Sequence, residues 1–170
     1  MVRAKVMVAV RDRASAEELT KLACQLASGM GADLIALHVV QIPLATPLEA
    51  KVEGIDEEGK EILAQAAMTA TGKVPGGFST ELVRARNAGE AIIAEVKEQA
   101  VDLLVLGHRR RHELSEFLLG STMRHVAHHA PCRVIIQIPA PPRPKTQTES
   151  ARGSTLLTRT WADCPGGIAS

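Results

Sequence analysis

The sequence predicts an α/β fold: a three-layer open twisted sheet of five parallel strands with helices on both faces. Three observations carry this. Apolar runs alternate with helical patterns in a β-α order that starts and ends on a strand. Most of the runs are continuous rather than alternating, as in strands buried on both faces. The composition is aliphatic, with 45% hydrophobic residues but only 2% aromatic, from two Phe, one Trp and no Tyr. A length of 170 residues fits one domain with a tail.

Val6 to Val10 (VMVAV) is the first run, with three β-branched valines. Ser15-Ala-Glu-Glu18 follows with capping-box spacing and predicts the start of a helix. Leu19, Leu22, Ala23, Leu26, Ala27 and Met30 fall on one face of that helix, and Gly29 and Gly31 predict its stop. Asp33 to Val40 (DLIALHVV) is the second buried strand. The stretch from Gln41 to Gly54, with Pro43 and Pro47, reads as a loop.

A helix is predicted from about Asp56 to Ala70, with Ile62, Leu63, Ala66, Ala67 and Ala70 inward. Phe78 to Ala85 alternates more and is more polar, which predicts an edge strand. Asn87 opens a third helix, with Glu90 at capping-box spacing. Ile92, Ile93, Val96 and Ala100 form its predicted buried stripe. Asp102 to Leu106 is the fourth strand, Ser121 to His129 the fourth helix, and Cys132 to Ile138 the fifth strand. The domain is therefore expected over 1–138. From Pro139 the composition turns Pro-rich, polar and irregular, so 139–170 is expected to be a disordered tail that could dock through Leu156, Leu157 and Trp161.

Composition also excludes functions. With almost no aromatic residues, the chain cannot stack bases as single-strand nucleic-acid binders do. Twenty basic against nineteen acidic residues give a net charge of +1, with no global pull toward nucleic acid or anionic membrane. Any anion site must be local. Cys24, Cys132 and Cys164 are too scattered for a disulfide framework or a zinc site, and are read as inert thiols apart from Cys164 in the tail. MVRAKVMVAV is too short for a signal peptide or a span, so the reducing cytoplasm is the expected compartment.

Chemistry is expected at the carboxyl ends of the strands, where strand order reverses. The loop after strand four ends in Gly120-Ser121-Thr122 at the start of a helix, where free N–H groups and the helix dipole favour phosphate. Arg109, Arg110 and Arg111 add three cations. An equal reading is a Ser N-cap beside a solvated basic loop. His125, His128 and His129 have the i, i+3, i+4 spacing that gathers two imidazoles for a metal, but no neighbouring Asp, Glu or Cys completes the set. Histidines in a last turn also suit the negative end of a helix. No metal ligand is assigned on this pattern. His38 reads as a hydrogen-bonded core or rim histidine. No nucleophile, base and orienter set is present, and no catalytic residue is assigned.

The segment from Gly107 to Ile138 resembles the universal stress protein family. The family signature is a glycine, two residues, a second glycine, nine residues and then Gly-Ser or Gly-Thr. Here Gly107 and Gly120-Ser121 stand at that separation, and His129-Ala-Pro-Cys132 follows with Val134-Ile-Ile. VMVAV and Leu37-His-Val-Val40 match as well, so the resemblance covers about residues 3 to 138. It implies a Rossmann-like sheet of the adenine nucleotide alpha hydrolase kind, strand order 3-2-1-4-5, a homodimer through strand five (Cys132–Ile138) and, in one branch, a site for ATP or another adenine nucleotide. Carried over by position, that site would be lined by Ala9, Val10, Arg11, Val39, Leu106, Gly107, Arg110, Gly120, Ser121 and Thr122.

Two positions depart from the pattern. Arg11 stands where the family has a ribose-binding Asp, with Asp12 one place late, and Arg110 replaces the second glycine. Losing the ribose acceptor removes a hydrogen bond worth about 1–3 kcal/mol. The added cations either obstruct phosphate or clamp it. The resemblance thus implies a dimeric stress-response or regulatory module with a degenerate nucleotide pocket. Alternatives are a slow nucleotide hydrolase, with Asp12 as its one placed acid, and a nucleotide-free protein-interaction or transport-regulatory module.

Overall fold

The structure is a computed structural model that describes residues 3–48, 54–108 and 120–138. The tail, Arg109 to Arg111, Leu118 and Leu119 lie outside the described residues. The elements run β1 (Lys5–Ala9), α1 (Arg13–Met30), β2 (Asp33–Gln41), α2 (Ile55–Ala70), β3 (Phe78–Ala85), α3 (Ala88–Glu98), β4 (Leu103–Gly107), α4 (Ser121–His129) and β5 (Arg133–Gln137). The five strands form one parallel sheet in the order β3-β2-β1-β4-β5. The Rossmann-like architecture and its strand order are those expected.

The continuous apolar runs are explained by two cores, one on each side of the sheet. Val6 and Val8 of β1 face α1 and α2, where they join Leu34, Leu19, Ala23, Ile62 and Leu63. Met7, between them, points to the other side and joins Ile35, Leu37, Leu104, Ile92, Ile93, Val96 and Val126 beneath α3 and α4. Val6, Met7 and Val8 are all fully buried. A central strand covered on both faces has no polar side to show.

Four local expectations are corrected. Asp12, not Ser15, caps α1: its carboxylate accepts the Ser15 N–H at 2.9 Å and the Ser15 hydroxyl at 2.8 Å. An acidic acceptor three residues upstream satisfies the free amides better than the serine, which becomes its donor. The stripe on α1 is also turned from the one expected. Ala16, Leu19, Thr20, Ala23, Cys24 and Ala27 are buried, Leu22 and Leu26 flank them, and Met30 is 40% exposed. Small residues face the sheet and let the helix sit close. Gly29 lies inside the helix, and Gly31 alone ends it, at φ 62°, with its N–H on the Ala27 and Ser28 carbonyls.

The second expected stripe also ends early. Helix α3 stops at Glu98, and Ala100 is an exposed turn residue at φ 51° rather than a buried one. Its N-cap is Asn87 as expected, accepting from Gly89 N–H at 2.9 Å and Glu90 N–H at 3.4 Å. Glu57 reaches back to the Gly54 N–H at 2.8 Å and holds its carboxyl below the usual carboxylate range. Among the described residues, no helix is long and apolar enough to cross a membrane.

Candidate functional site at the carboxyl ends of β1 and β4

Strand β1 pairs with β2 on one side and β4 on the other, so chain connections diverge from the β1–β4 boundary. That boundary is the topological switch point, and the crevice beyond its carboxyl ends is where such sheets hold ligands. Ala9 pairs with Leu37 on β2 and Leu106 on β4, so the three form one row across the ends of the central strands. Val10 follows, buried, and then Arg11, exposed. Val39 stands two residues past Leu37 on β2, half-buried. The structure thus brings Ala9, Val10, Arg11, Leu106 and Gly107 to adjacent strand ends, with Val39 further along β2. Arg110 lies outside the described residues.

The Val10 backbone is held on both sides. Its N–H donates to the Leu37 carbonyl at 2.9 Å. Its carbonyl accepts from His38, whose Nδ1 is 2.9 Å away. A carbonyl has no proton to give, so Nδ1 is the protonated nitrogen. His38 is 8% exposed and serves as a hydrogen-bonded core histidine that pins the turn between β1 and α1. The apolar strand around it signalled burial. Its partner is 28 residues away in the chain and was not legible there.

Gly107 has a structural reason to be glycine. A Cβ placed there would stand 2.6 Å from Leu19 Cδ1, so α1 lies directly over the end of β4. Nearby, Gln137 at the end of β5 pairs with Gly107, and its amide donates to Glu18 of α1 at 2.7 Å. The Gln137 side-chain oxygen is buried without a hydrogen-bond partner among the described residues. Gln137 carried no pattern that would single it out in sequence, and Glu18 was marked there only by capping-box spacing, not as a partner of β5.

Helix α4 begins at Ser121, and Gly120 is its N-cap, with no side-chain capping bond. Ser121 is therefore not the N-cap that one of the two sequence readings expected. A Cβ on Gly120 would meet nothing within 4 Å among the described residues. The first turn is anchored by Met123, which is buried in the same apolar cluster as Leu106 and Met7. Ser121 is exposed and Thr122 half-buried.

Two further cavities lie elsewhere. One of about 190 Å³ sits at the amino ends of the strands, lined by Lys5, Asp33, Gly77, Phe78 and Gln99. A groove of about 570 Å³ is lined by Lys21, Cys24, Gln25, Ser28 and Lys73. Neither holds a residue expected in the nucleotide site. Burial pushes the Cys24 and Cys132 thiols up, which makes both poor nucleophiles, although Cys132 is half-buried rather than buried. Among the described residues, no three His, Cys, Asp or Glu side chains are grouped to hold a metal.

Comparison with known proteins bears on the same region. The universal stress protein family model matches residues 3–137. Universal stress protein Slr1101 of Synechocystis is 45% identical over 53 residues, 31% of this chain. The match spans about half, 48%, of that relative's length. A universal stress protein solved in complex with cAMP superposes with TM-score 0.60 at 22% identity, over 81% of this chain and 98% of its own. The universal stress protein from Archaeoglobus fulgidus in complex with dAMP gives TM-score 0.63 at 21% identity, over 80% and 98%.

Proposed function

The chain belongs to the universal stress protein family, and from that premise we propose that it is a cytoplasmic, homodimeric stress-response module binding an adenine nucleotide at the β1–β4 switch point. The observation that carries the reading is the first turn of α4. Among the described residues its amides take no side-chain cap, and a Cβ on Gly120 would meet nothing within 4 Å. Free amides at a helix start suit a phosphate. Ala9 and Val39, half-buried on the α3–α4 face of the sheet, offer an aliphatic flank for a base, which needs no aromatic partner, whereas Val10 is buried in the core on the other face. Relatives of the same fold were solved with cAMP and dAMP, both adenine nucleotides.

The departures from the family pattern set the expected affinity. Arg11 is exposed at the end of β1 and offers no acceptor to a ribose hydroxyl. Asp12 is a poor replacement, because its carboxylate is turned to the start of α1, with Oδ1 accepting from the Ser15 amide and hydroxyl. The same engagement weighs against a hydrolase built on Asp12. Binding is therefore expected in the micromolar to millimolar range, about −8 to −4 kcal/mol. The dimer would form through β5, an apolar edge.

The test begins with denaturing purified protein and identifying any released nucleotide by mass spectrometry. Calorimetry with ATP, ADP, AMP and cAMP follows. Saturable binding of at least one supports the reading, and no binding at millimolar concentration overturns it. Arg110→Gly then separates the two roles of that arginine: tighter binding marks an obstruction, and lost binding marks a clamp.

A further inference from the structure

The last two turns of α4 carry a histidine cluster that the nucleotide site does not use. His125 and His129 stand one helical turn apart with their rings stacked, centroids 4.3 Å apart and planes 20° apart. His129 Nδ1 lies 2.8 Å from the His125 backbone oxygen. The carbonyl only accepts, so Nδ1 carries the proton and Nε2 keeps its lone pair. That is the arrangement metal-binding histidines adopt: the second ring nitrogen donates to a backbone carbonyl, which fixes the tautomer and orients the ring.

His125 is held from the side. It is half-buried against α3, where a Cβ on Gly89 would come within 3.0 to 3.2 Å of its side chain. His129 is exposed, and its ring is held by the Nδ1 bond to the His125 carbonyl and by the stack. His128 meets His129 edge-on at 6.5 Å and sits off the shared face.

We propose that His125 and His129 form a two-histidine site for a first-row divalent cation that prefers imidazole, such as Zn(II), Ni(II) or Cu(II). Residues four apart on a formed helix share a face, so two imidazoles can reach one ion. A bound ion would part the stacked rings and take one nitrogen from each, at the usual Zn–N distance of about 2.0–2.1 Å. Water completes the coordination, because no third His, Cys, Asp or Glu joins the group among the described residues. The carbonyls at the end of α4 favour a cation, while Arg124 and Arg133 oppose one. Nitrogen ligands exclude Mg(II) and Ca(II), which take oxygen. The site is separate from the nucleotide crevice and does not depend on it.

The test is titration of tag-free protein with Zn(II), followed by calorimetry and by the imidazole nitrogen resonances. One equivalent is expected to bind and to shift the His125 and His129 signals, with Mg(II) silent. His129→Asn should weaken binding by about tenfold or more, while His128→Asn leaves it within about twofold. Because His129 is exposed, its variant keeps the fold, which circular dichroism checks. His125→Asn should match it, and if that variant fails to fold, His129→Asn and the wild-type resonances decide alone. Unchanged Zn(II) affinity in His129→Asn, shifts confined to other histidines, or no binding at about 1 mM would overturn the proposal.

Discussion

The sheet has two edges, and they are built differently. Strand β3 is eight residues long, exposes Ser79 and Thr80, and carries Glu81 and Arg84. Arg84 stands 3.6 Å from Asp56 of α2 in a half-buried ion pair. Strand β5 reads Arg-Val-Ile-Ile-Gln, with Val134, Ile135 and Ile136 half-buried and Ile138 beyond them 57% exposed. Polar and charged residues blunt an edge against pairing, and an edge that is β-branched through its middle, with a charge only at Arg133, invites it. One edge is finished within the chain, and the other has the chemistry of a strand awaiting cover. This difference is why the proposed dimer is assigned to β5.

The largest expected effect comes from blocking β5 alone. Arg133 N–H donates to the Asp102 carbonyl, and the Gln137 carbonyl accepts from His108 N–H, so these residues turn their polar groups toward β4. Strand alternation places Ile135 with them and leaves the amides of Val134 and Ile136 facing outward. Ile136→Pro therefore removes an outward donor while sparing the ladder to β4. Dimer affinity should fall by about a hundredfold or more, read by sedimentation, with the fold retained. On β3, Gly77 and Ala85 bond inward to β2, so Thr80 faces out and Thr80→Pro is the matched control. It should leave the assembly unchanged. Equal effects of the two variants, or none from either, would erase the contrast.

The second effect measures how closely α2 covers the β3 edge. A Cβ on Gly59 would stand 2.7 Å from Leu82 Cδ1 and 3.0 Å from His38 Cδ2. Leu82 can turn aside, but His38 is pinned to the Val10 carbonyl. Alanine gains about 1 kcal/mol of helix propensity against about 1–3 kcal/mol of overpacking. Gly59→Ala should therefore lose about 1 kcal/mol net, seen in denaturant titration. A more stable variant would mean that α2 rides loosely over β3.

Much of this architecture was legible in the chain, and the reasons differ by element. Continuous apolar runs such as Val6 to Val10 marked the buried strands, because a strand covered twice must be apolar throughout. The polar alternation of Phe78 to Ala85 marked an edge for the converse reason. Helix starts were less legible. Asp12 and Ser15 are both good caps, and only the backbone decides which accepts and which donates. Met30 and Ala100 have apolar chemistry at helical spacing, yet the first is largely exposed and the second lies past the end of its helix. At the site, strand ends followed from topology, but contacts between distant segments did not. His38 on the Val10 carbonyl, Leu19 over Gly107 and Gln137 on Glu18 join residues that no local pattern links.

The smallest effect lies again on the β3 side, where acidic groups crowd. Glu95 of α3 has its carboxyl pushed up, first by burial and then by the negative charges of Glu98 and Glu81, the last on β3. A raised carboxyl binds its proton more tightly in the folded chain than in the unfolded one. Stability therefore falls as pH rises through the ordinary carboxylate value toward the raised folded value, and the loss persists at neutral pH. Below that window both states are protonated and nothing is lost. Glu95→Gln removes the charge, so it should raise the thermal midpoint at neutral pH by about 1 °C, a small figure because the group is largely solvated. Near pH 3 the gain should vanish. A gain of equal size at both pH values would trace to packing of the amide and not to the acidic crowding on this side.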